Sequence, residues 1–101
     1  MIVYNVTIKV DSSIALDWIT WLNEDHIPAV INTGCFTHAH VMRLLEVDDA
    51  EGPTYAVQYY TENLAQYQLY ITNHAALMRQ LSFDKWGNKF IAFRSVMEVV
   101  H

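Results

Sequence analysis

The order of its strand and helix patterns is the feature that most constrains how this chain can fold. Residues 2–10 alternate apolar and polar side chains, which indicates a β-strand. A helical pattern follows at residues 15–26, and the remaining patterns are strands at 36–47 and 54–60, a helix at 63–81 and a strand at 90–100. The predicted order is βαββαβ, and 101 residues suffice for a single domain spanning residues 1–101.

Two successive βαβ units predict a ferredoxin-like α+β fold, because each right-handed crossover places its helix on the same face of the sheet. We therefore expect a four-stranded antiparallel sheet with two helices on one face. Pro28 lacks a backbone N–H and is expected to kink the first helix around residues 24–28. The second helix is predicted to bury a stripe made of Leu64, Tyr67, Ile71, His74, Met78 and Leu81.

The second and fourth strands carry apolar side chains on both faces. In a lone domain of this kind, the sheet face without helices meets water and should be polar. Met42 lies on one face of the second strand and Val41 and Leu45 on the other, while Val96 opposes Phe93 on the fourth strand. The sequence does not decide which sheet face meets the helices on the second, third and fourth strands. We predict that a second copy of the chain covers the free face, giving a homodimer paired sheet to sheet.

Charge and cysteine content exclude several classes of protein. Six Lys and Arg against eleven Asp and Glu give a formal net charge of −5, which argues against a nucleic-acid partner because phosphate binding requires cations. The single cysteine, Cys35, cannot form an intramolecular disulfide and favours a reducing compartment. The N-terminus lacks a signal-peptide pattern and no apolar run is long enough for a membrane span. We expect a cytoplasmic protein with no membrane partner.

Five short motifs resemble an uncharacterised family of small bacterial proteins, a domain of unknown function related to the dimeric α/β-barrel superfamily. They are MIVYNVT at 1–7, HIP at 26–28, GCF at 34–36, TYAVQY at 54–59, and GNKF with AFR at 87–94. The resemblance covers nearly the whole chain. It implies a ferredoxin-like protomer that pairs as a dimeric α/β barrel, and it implies no reaction, because the family has none assigned. The wider superfamily includes cofactor-free monooxygenases and isomerases, an analogy at the level of fold.

His26 is the candidate catalytic residue, as a general base. It lies at the predicted kink, next to the apolar side of the first helix, where partial desolvation would keep the imidazole neutral. Adjacent Asp25 would orient it only if the kink brought the two side chains together. The structural alternative is that His26 satisfies a carbonyl freed by Pro28.

Four further residues are candidates for ligand binding: His74, Tyr59, Trp21 and Arg43. His74 could line one cleft with His26 if the helices pack side by side, although a core histidine is the alternative. The aromatic residues would form walls of the cleft, or simply pack in the core or interface. Arg43 and Arg94 lie in apolar strands, so each either pairs with a carboxylate across the dimer interface or binds an anionic ligand.

A metal site is not predicted. His38 and His40 share one strand face, but no third ligand stands at a recognisable spacing. The acidic residues of the turn at 46–51 lack the spacing of a calcium loop and indicate a solvated turn.

Three functions remain open from the sequence. The first is a homodimer that binds a small, partly apolar ligand between helices and sheet, without a cofactor. The second is a cofactor-free monooxygenase or isomerase with His26 as its base. The third is a structural or interaction module with a filled core. A cavity beside His26 and His74 would separate the third function from the other two.

Overall fold

The structure, a computed structural model, describes residues 1–101 and consists of one sheet covered on one face by helices. The strands are β1 (Ile2–Val10), β2 (His38–Arg43), β3 (Thr54–Thr61) and β4 (Phe90–Glu98). The helices are α1 (Ala15–Trp21), α2 (Ile27–Ile31), α3 (Leu64–Asn73) and α4 (Ala75–Trp86), and a π-helical turn, Leu22–His26, joins α1 to α2. The sheet order is β2-β3-β1-β4 with every pairing antiparallel, so the predicted ferredoxin-like α+β fold is confirmed.

The kink predicted in the first helix is the π-helical turn. The backbone N–H of Ile27 donates to the carbonyl of Leu22, five residues back, instead of the usual four. Pro28 follows immediately, within the first turn of α2, where a missing N–H costs least. The turn therefore lets one continuous helical segment change direction just where His26 lies.

The second helix is wrongly predicted as continuous. It breaks at His74, whose backbone leaves the helical region with φ −130° and ψ −32°, and it resumes as α4 up to Trp86. The break changes the phase of the apolar stripe, so Tyr70, Ala75 and Met78 are buried. Three residues assigned to that stripe are exposed instead: Leu64, Ile71 and Leu81.

The second strand is shorter than predicted, ending at Arg43 rather than at residue 47. Its pairing stops because β3 begins at Thr54, and one further hydrogen bond from the N–H of Leu44 to the carbonyl of Thr54 closes the ladder. Beyond it the chain turns at Glu46, which has a left-handed φ of 58°.

The inner face of the sheet carries the core. Tyr4, Val6, Ile8 and Val10 of β1 point towards the helices and are buried against Trp18 and Leu22, among other side chains. The register settles the faces of the other strands, because Val41 pairs with Val57, which pairs with Val6. Val41 therefore faces the helices, and Met42 and Phe93 face away.

The outer face of the sheet, which no helix covers, holds a chain of hydrogen-bonded polar side chains that crosses all four strands. The hydroxyl of Tyr60 contacts His40 at 3.3 Å and donates to Gln58 at 2.9 Å; Gln58 donates to Asn5 at 3.3 Å. Asn5 in turn donates to Thr7 and, at 3.4 Å, to Ser95 on β4. Around this chain lie exposed apolar side chains, Met42, Ile91, Phe93 and Met97.

Candidate functional site

A cavity lies between the inner face of the sheet and the helices. Its floor comes from β1, β3 and β4, and its roof from α1, the π-helical turn, α3 and α4. It encloses about 40 Å³ and is lined by 16 residues, of which 12 are hydrophobic. The four that are not hydrophobic are His26, Arg79, Ser82 and Arg94. The cavity is thus an apolar chamber with a few polar groups directed into it.

Three tyrosines form one side of the cavity. The ring centroid of Tyr4 lies 6.0 Å from that of Tyr59 and 5.7 Å from that of Tyr70. Burial raises the pKa of both Tyr59 and Tyr70 above the ordinary phenol value, so both hydroxyls stay protonated. The tyrosine hydroxyls that form hydrogen bonds within the chain are those of Tyr4 and Tyr60. Tyr59 and Tyr70 therefore bring two unpaired hydroxyl groups to the cavity.

His26 lies in the wall of the cavity, held by an aromatic stack. Its ring lies against the indole of Trp21, with centroids 4.6 Å apart and an angle of 23° between the planes. Burial lowers the pKa of His26 to about 4, so the imidazole is neutral at pH 7, as the sequence predicts. The ring forms no hydrogen bond within the chain and no ion pair with the exposed Asp25 next to it. The structure therefore supports neither orientation by Asp25 nor bonding to a freed carbonyl.

Trp21 and His26 also line an open groove of about 380 Å³ on the outside of the helices. The remaining lining residues of this groove are Asp25, Ala29, Leu81, Asp84 and Lys85. Since both side chains belong to the inner cavity as well, they stand between it and the groove. On its other side, the indole of Trp21 meets the edge of Trp86, with centroids 5.8 Å apart.

Two arginines reach the cavity from opposite layers, Arg79 from α4 and Arg94 from β4. Both are exposed residues, so they lie where the cavity opens towards solvent. Arg79 Nη2 donates to the hydroxyl of Tyr4 at 3.4 Å. No carboxylate pairs with either arginine, because the chain contains one salt bridge and it joins Arg43 to Asp49.

The structure brings together three of the five residues singled out in the sequence: His26, Tyr59 and Trp21 all line the cavity. His74 lies outside it, because the helix break places it between α3 and α4 with its ring 6.2 Å from that of Tyr70. Arg43 is also outside. It lies at the end of the edge strand β2, is exposed, and pairs with Asp49 at 2.6 Å within its own chain.

Sequence reasoning did not single out Tyr4, Tyr70 or Arg79 as site residues. Arg79 follows Met78, and its place at the cavity depends on the phase of α4 after the break at His74. Tyr4 shares a face of β1 with other core residues, so nothing in the sequence distinguished it from them. For Arg94, the signal was present in the alternation of β4, where it shares a face with Phe90 and Ala92.

The histidines of β2 lie on the outer sheet face, away from the cavity. The rings of His38 and His40 are 5.5 Å apart, and His38 stacks on Tyr60. No three His, Cys, Asp or Glu side chains are grouped so that they could hold a metal ion.

The comparison with protein families decides which family the chain belongs to. Residues 1–100 match the model of a family described as a domain of unknown function, DUF4286. This chain is a DUF4286 protein. The sequence has no match among curated proteins. The resemblance seen in its motifs is thereby confirmed.

Solved structures similar to this DUF4286 chain share its fold at low sequence identity. A dimeric ferredoxin-like protein from an uncultured marine organism has a TM-score of 0.75 at 12% identity, covering 99% of this chain and 95% of its own. An ethyl tert-butyl ether D (EthD) family protein from Bacillus halodurans C-125 has a TM-score of 0.67 at 12% identity, covering 99% and 100%. An EthD-like protein from Ralstonia eutropha JMP134 has a TM-score of 0.67 at 11% identity, covering 98% and 93%. None of the helices of this DUF4286 chain is long and apolar enough to cross a membrane.

Proposed function

We propose that this DUF4286 chain binds a small, partly apolar molecule in the cavity between helices and sheet. The observation that carries the proposal is a set of unpaired polar groups in an apolar chamber: the hydroxyls of Tyr59 and Tyr70 and the ring of His26. These polar atoms are accessible from the cavity and form no hydrogen bond within the chain, whereas the one fully buried side-chain N or O without a partner is Trp86 Nε1. An apolar chamber lined by a few polar groups that have no partner in the chain is typical of ligand sites, which favours a ligand over a purely structural module.

The size of the cavity sets a condition on binding. About 40 Å³ holds a few atoms, whereas pockets for drug-sized ligands measure roughly 300–1,000 Å³. The adjoining groove of about 380 Å³ is separated from the cavity by Trp21 and His26. Movement of these two side chains would join the two spaces, so binding in this proposal includes a rearrangement of the Trp21–His26 stack.

Binding is favoured over catalysis by the basicity of His26. A general base works best when its pKa lies near the working pH. With a pKa of about 4, the imidazole of His26 is unprotonated at pH 7 but accepts a proton weakly. The cofactor-free monooxygenase or isomerase is therefore the second candidate, and it requires a bound substrate that raises the pKa of His26.

The proposed protein is a homodimer paired through its outer sheet faces as a dimeric α/β barrel. Supporting this, the outer face exposes Ile91 by 74% and Phe93 by 71%, and Met42 and Met97 by more than two fifths each. Lys9 is the only charged residue among those that face outwards on the four strands, counting Lys, Arg, Asp and Glu. Scarcity of charge and exposed apolar side chains are features of interface centres. One structural neighbour is itself described as dimeric.

The proposed location is the cytoplasm, which agrees with a free, buried thiol at Cys35. The dimer is tested by sedimentation equilibrium at micromolar concentration, where we expect twice the chain mass of 11.7 kDa. A stable folded monomer would contradict it.

Ligand binding is tested by a thermal-shift screen of small organic molecules, followed by titration calorimetry of the hits. We expect His26→Ala to leave the protein folded and to weaken binding of the hits at least fivefold. His74→Ala is the matched control, because His74 is also half-buried but lies outside the cavity, and it should leave binding unchanged. If His26→Ala lowers the melting temperature by several degrees while the hits bind unchanged, His26 is structural and the site is wrongly assigned.

A further inference from the structure

We infer that the ligand of this cavity is a small carboxylic acid with an aromatic or aliphatic body, whose carboxylate binds between Arg79 and Arg94. This inference rests on the proposed ligand-binding function and names the chemical class of that ligand. It is carried by the placement of two unpaired guanidinium groups at the opening of an otherwise apolar chamber.

The charge distribution around the cavity is one-sided. Two of the chain's three arginines line it, and none of its eleven Asp and Glu residues does. The one salt bridge of the chain joins Arg43 to Asp49. Arg79 and Arg94 have none, so their positive charge is available to an anion from solution.

Both arginines line the cavity that the tyrosines also line. Arg79 Nη2 lies 3.4 Å from the hydroxyl of Tyr4, whose ring packs 5.7 Å from that of Tyr70. Tyr70 lines the same cavity as Arg79 and Arg94, and the positive charges of both arginines oppose the rise in its pKa that burial causes. An anion here would meet two cations and the unpaired Tyr70 hydroxyl as donors.

The rest of the chamber suits an apolar body. Away from the arginines, the walls are the side chains of Ile8, Trp18, Trp21, Val57 and Phe90. A carboxylate carries one negative charge, so placing it beside these apolar walls costs less desolvation than placing a dianion such as a phosphate monoester there. A carboxylate also matches the planar, bidentate donor geometry of arginine. The chemistry that fits is therefore an aromatic or aliphatic monocarboxylate.

The test uses matched pairs of acids and their neutral amides, phenylacetate with phenylacetamide and hexanoate with hexanamide, titrated into the intact protein by calorimetry. We expect at least one acid to bind roughly tenfold or more tightly than its amide, and its affinity to fall as salt is raised. Arg94→Gln should lower the affinity for that acid about tenfold and leave the amide's affinity unchanged. Arg79→Gln, the second variant, should act in the same direction.

Arg43→Gln is the matched control, since it makes the same chemical change at the arginine outside the cavity, and it should alter neither affinity. If acid and amide bind equally, and Arg94→Gln and Arg79→Gln change nothing, the carboxylate inference is overturned while ligand binding in the cavity stands. If an acid binds but Arg43→Gln weakens it as much as Arg94→Gln does, the charge effect is not local and the inference also fails. If all four probes fail to bind while neutral hits from the thermal-shift screen do bind, the inference fails alone; if nothing binds, the proposed function fails with it.

Discussion

The ring of His26 stacks on the indole of Trp21 with centroids 4.6 Å apart, and these two side chains form the partition between the inner cavity and the outer groove. The π-helical turn brings them together, because it places Trp21 before and His26 within a segment wound more widely than an α-helix. The stack also explains the low basicity of His26, since the ring is removed from water without gaining an acidic partner.

The burial of His26 predicts a loss of stability in mild acid. Its pKa is about 4 in the folded chain and about 6.5 in the unfolded chain, so between these values the unfolded chain binds more protons. Stability should therefore fall as the pH falls from 6.5 towards 4, and this residue contributes about 2 kcal/mol of the loss between pH 7 and pH 5. Urea unfolding at the two pH values measures it.

His26→Phe is the control for this pH effect, because it keeps an aromatic ring on Trp21 and removes the titrating group. The other four histidines are common to both proteins. If wild type and His26→Phe lose the same free energy of unfolding between pH 7 and pH 5, the effect does not come from His26.

Gly52 has no room for a side chain. Its φ is +146°, and a Cβ there would overlap the carbonyl oxygen of Val10 and lie 2.8 Å from the backbone nitrogen of Ser12. Because these are backbone atoms, the chain cannot yield easily, and we expect Gly52→Ala to destabilise the protein by about 3 kcal/mol. Gly34→Ala is the matched control, with φ +81° but open space around it, and should cost only about 1 kcal/mol. Equal losses in urea unfolding would rule out the steric explanation.

Asn63 caps the start of α3. Its side-chain oxygen accepts a hydrogen bond from the backbone N–H of Gln66 at 3.0 Å. Asn63→Ala should reduce the free energy of unfolding by about 1 kcal/mol, and Asn63→Asp, which keeps the acceptor, should retain most of it. Chemical denaturation of the three proteins checks this. The cap is unimportant if both variants are as stable as wild type.

A substitution at Phe93 tests most directly whether the outer sheet face forms the dimer interface. We expect Phe93→Lys to shift the protein from dimer to monomer in sedimentation, because a charge would be buried where two apolar faces meet. The side chain is 71% exposed within one chain, so the substitution should leave the monomer's fold intact by circular dichroism. Leu16→Lys, on α1 and 84% exposed, is the control and should remain dimeric. If the Phe93→Lys variant is still a dimer, the interface lies elsewhere on the protein.

The fold was largely predictable from the sequence, because the patterns that determine its strands and its kink act over only a few residues. The alternation of β1 and the position of Pro28 each act within a few residues, and both the strand and the kink are confirmed. The break at His74 was missed since no Gly or Pro marks it and its residues have ordinary helix propensity. Packing of Tyr70 against Tyr4 and Phe36 accompanies the change of phase there.

The candidate site was only partly predictable for a different reason. His26 lay next to the apolar side predicted for the first helix, whereas the inward face of the strand that carries Tyr59 was settled only by its register with β1. Arg79 could not be assigned, because its place at the cavity depends on the phase of α4 after the break, and for Arg94 the sequence left an interface ion pair and an anionic ligand both open. For the same reason His74 and Arg43 looked suitable by residue type and lie outside the cavity.

The central position of β1 restricts how proteins of this kind can diverge. Successive side chains of this strand point to opposite faces of the sheet. Tyr4 lines the cavity, and Asn5 belongs to the hydrogen-bonded chain of the outer face. Adding or deleting one residue within β1 would exchange the two sets at once, since side chains alternate along a strand. Substitutions in β1 leave both faces in place, whereas loops such as the one around Asp48 and Asp49 are free to change in length.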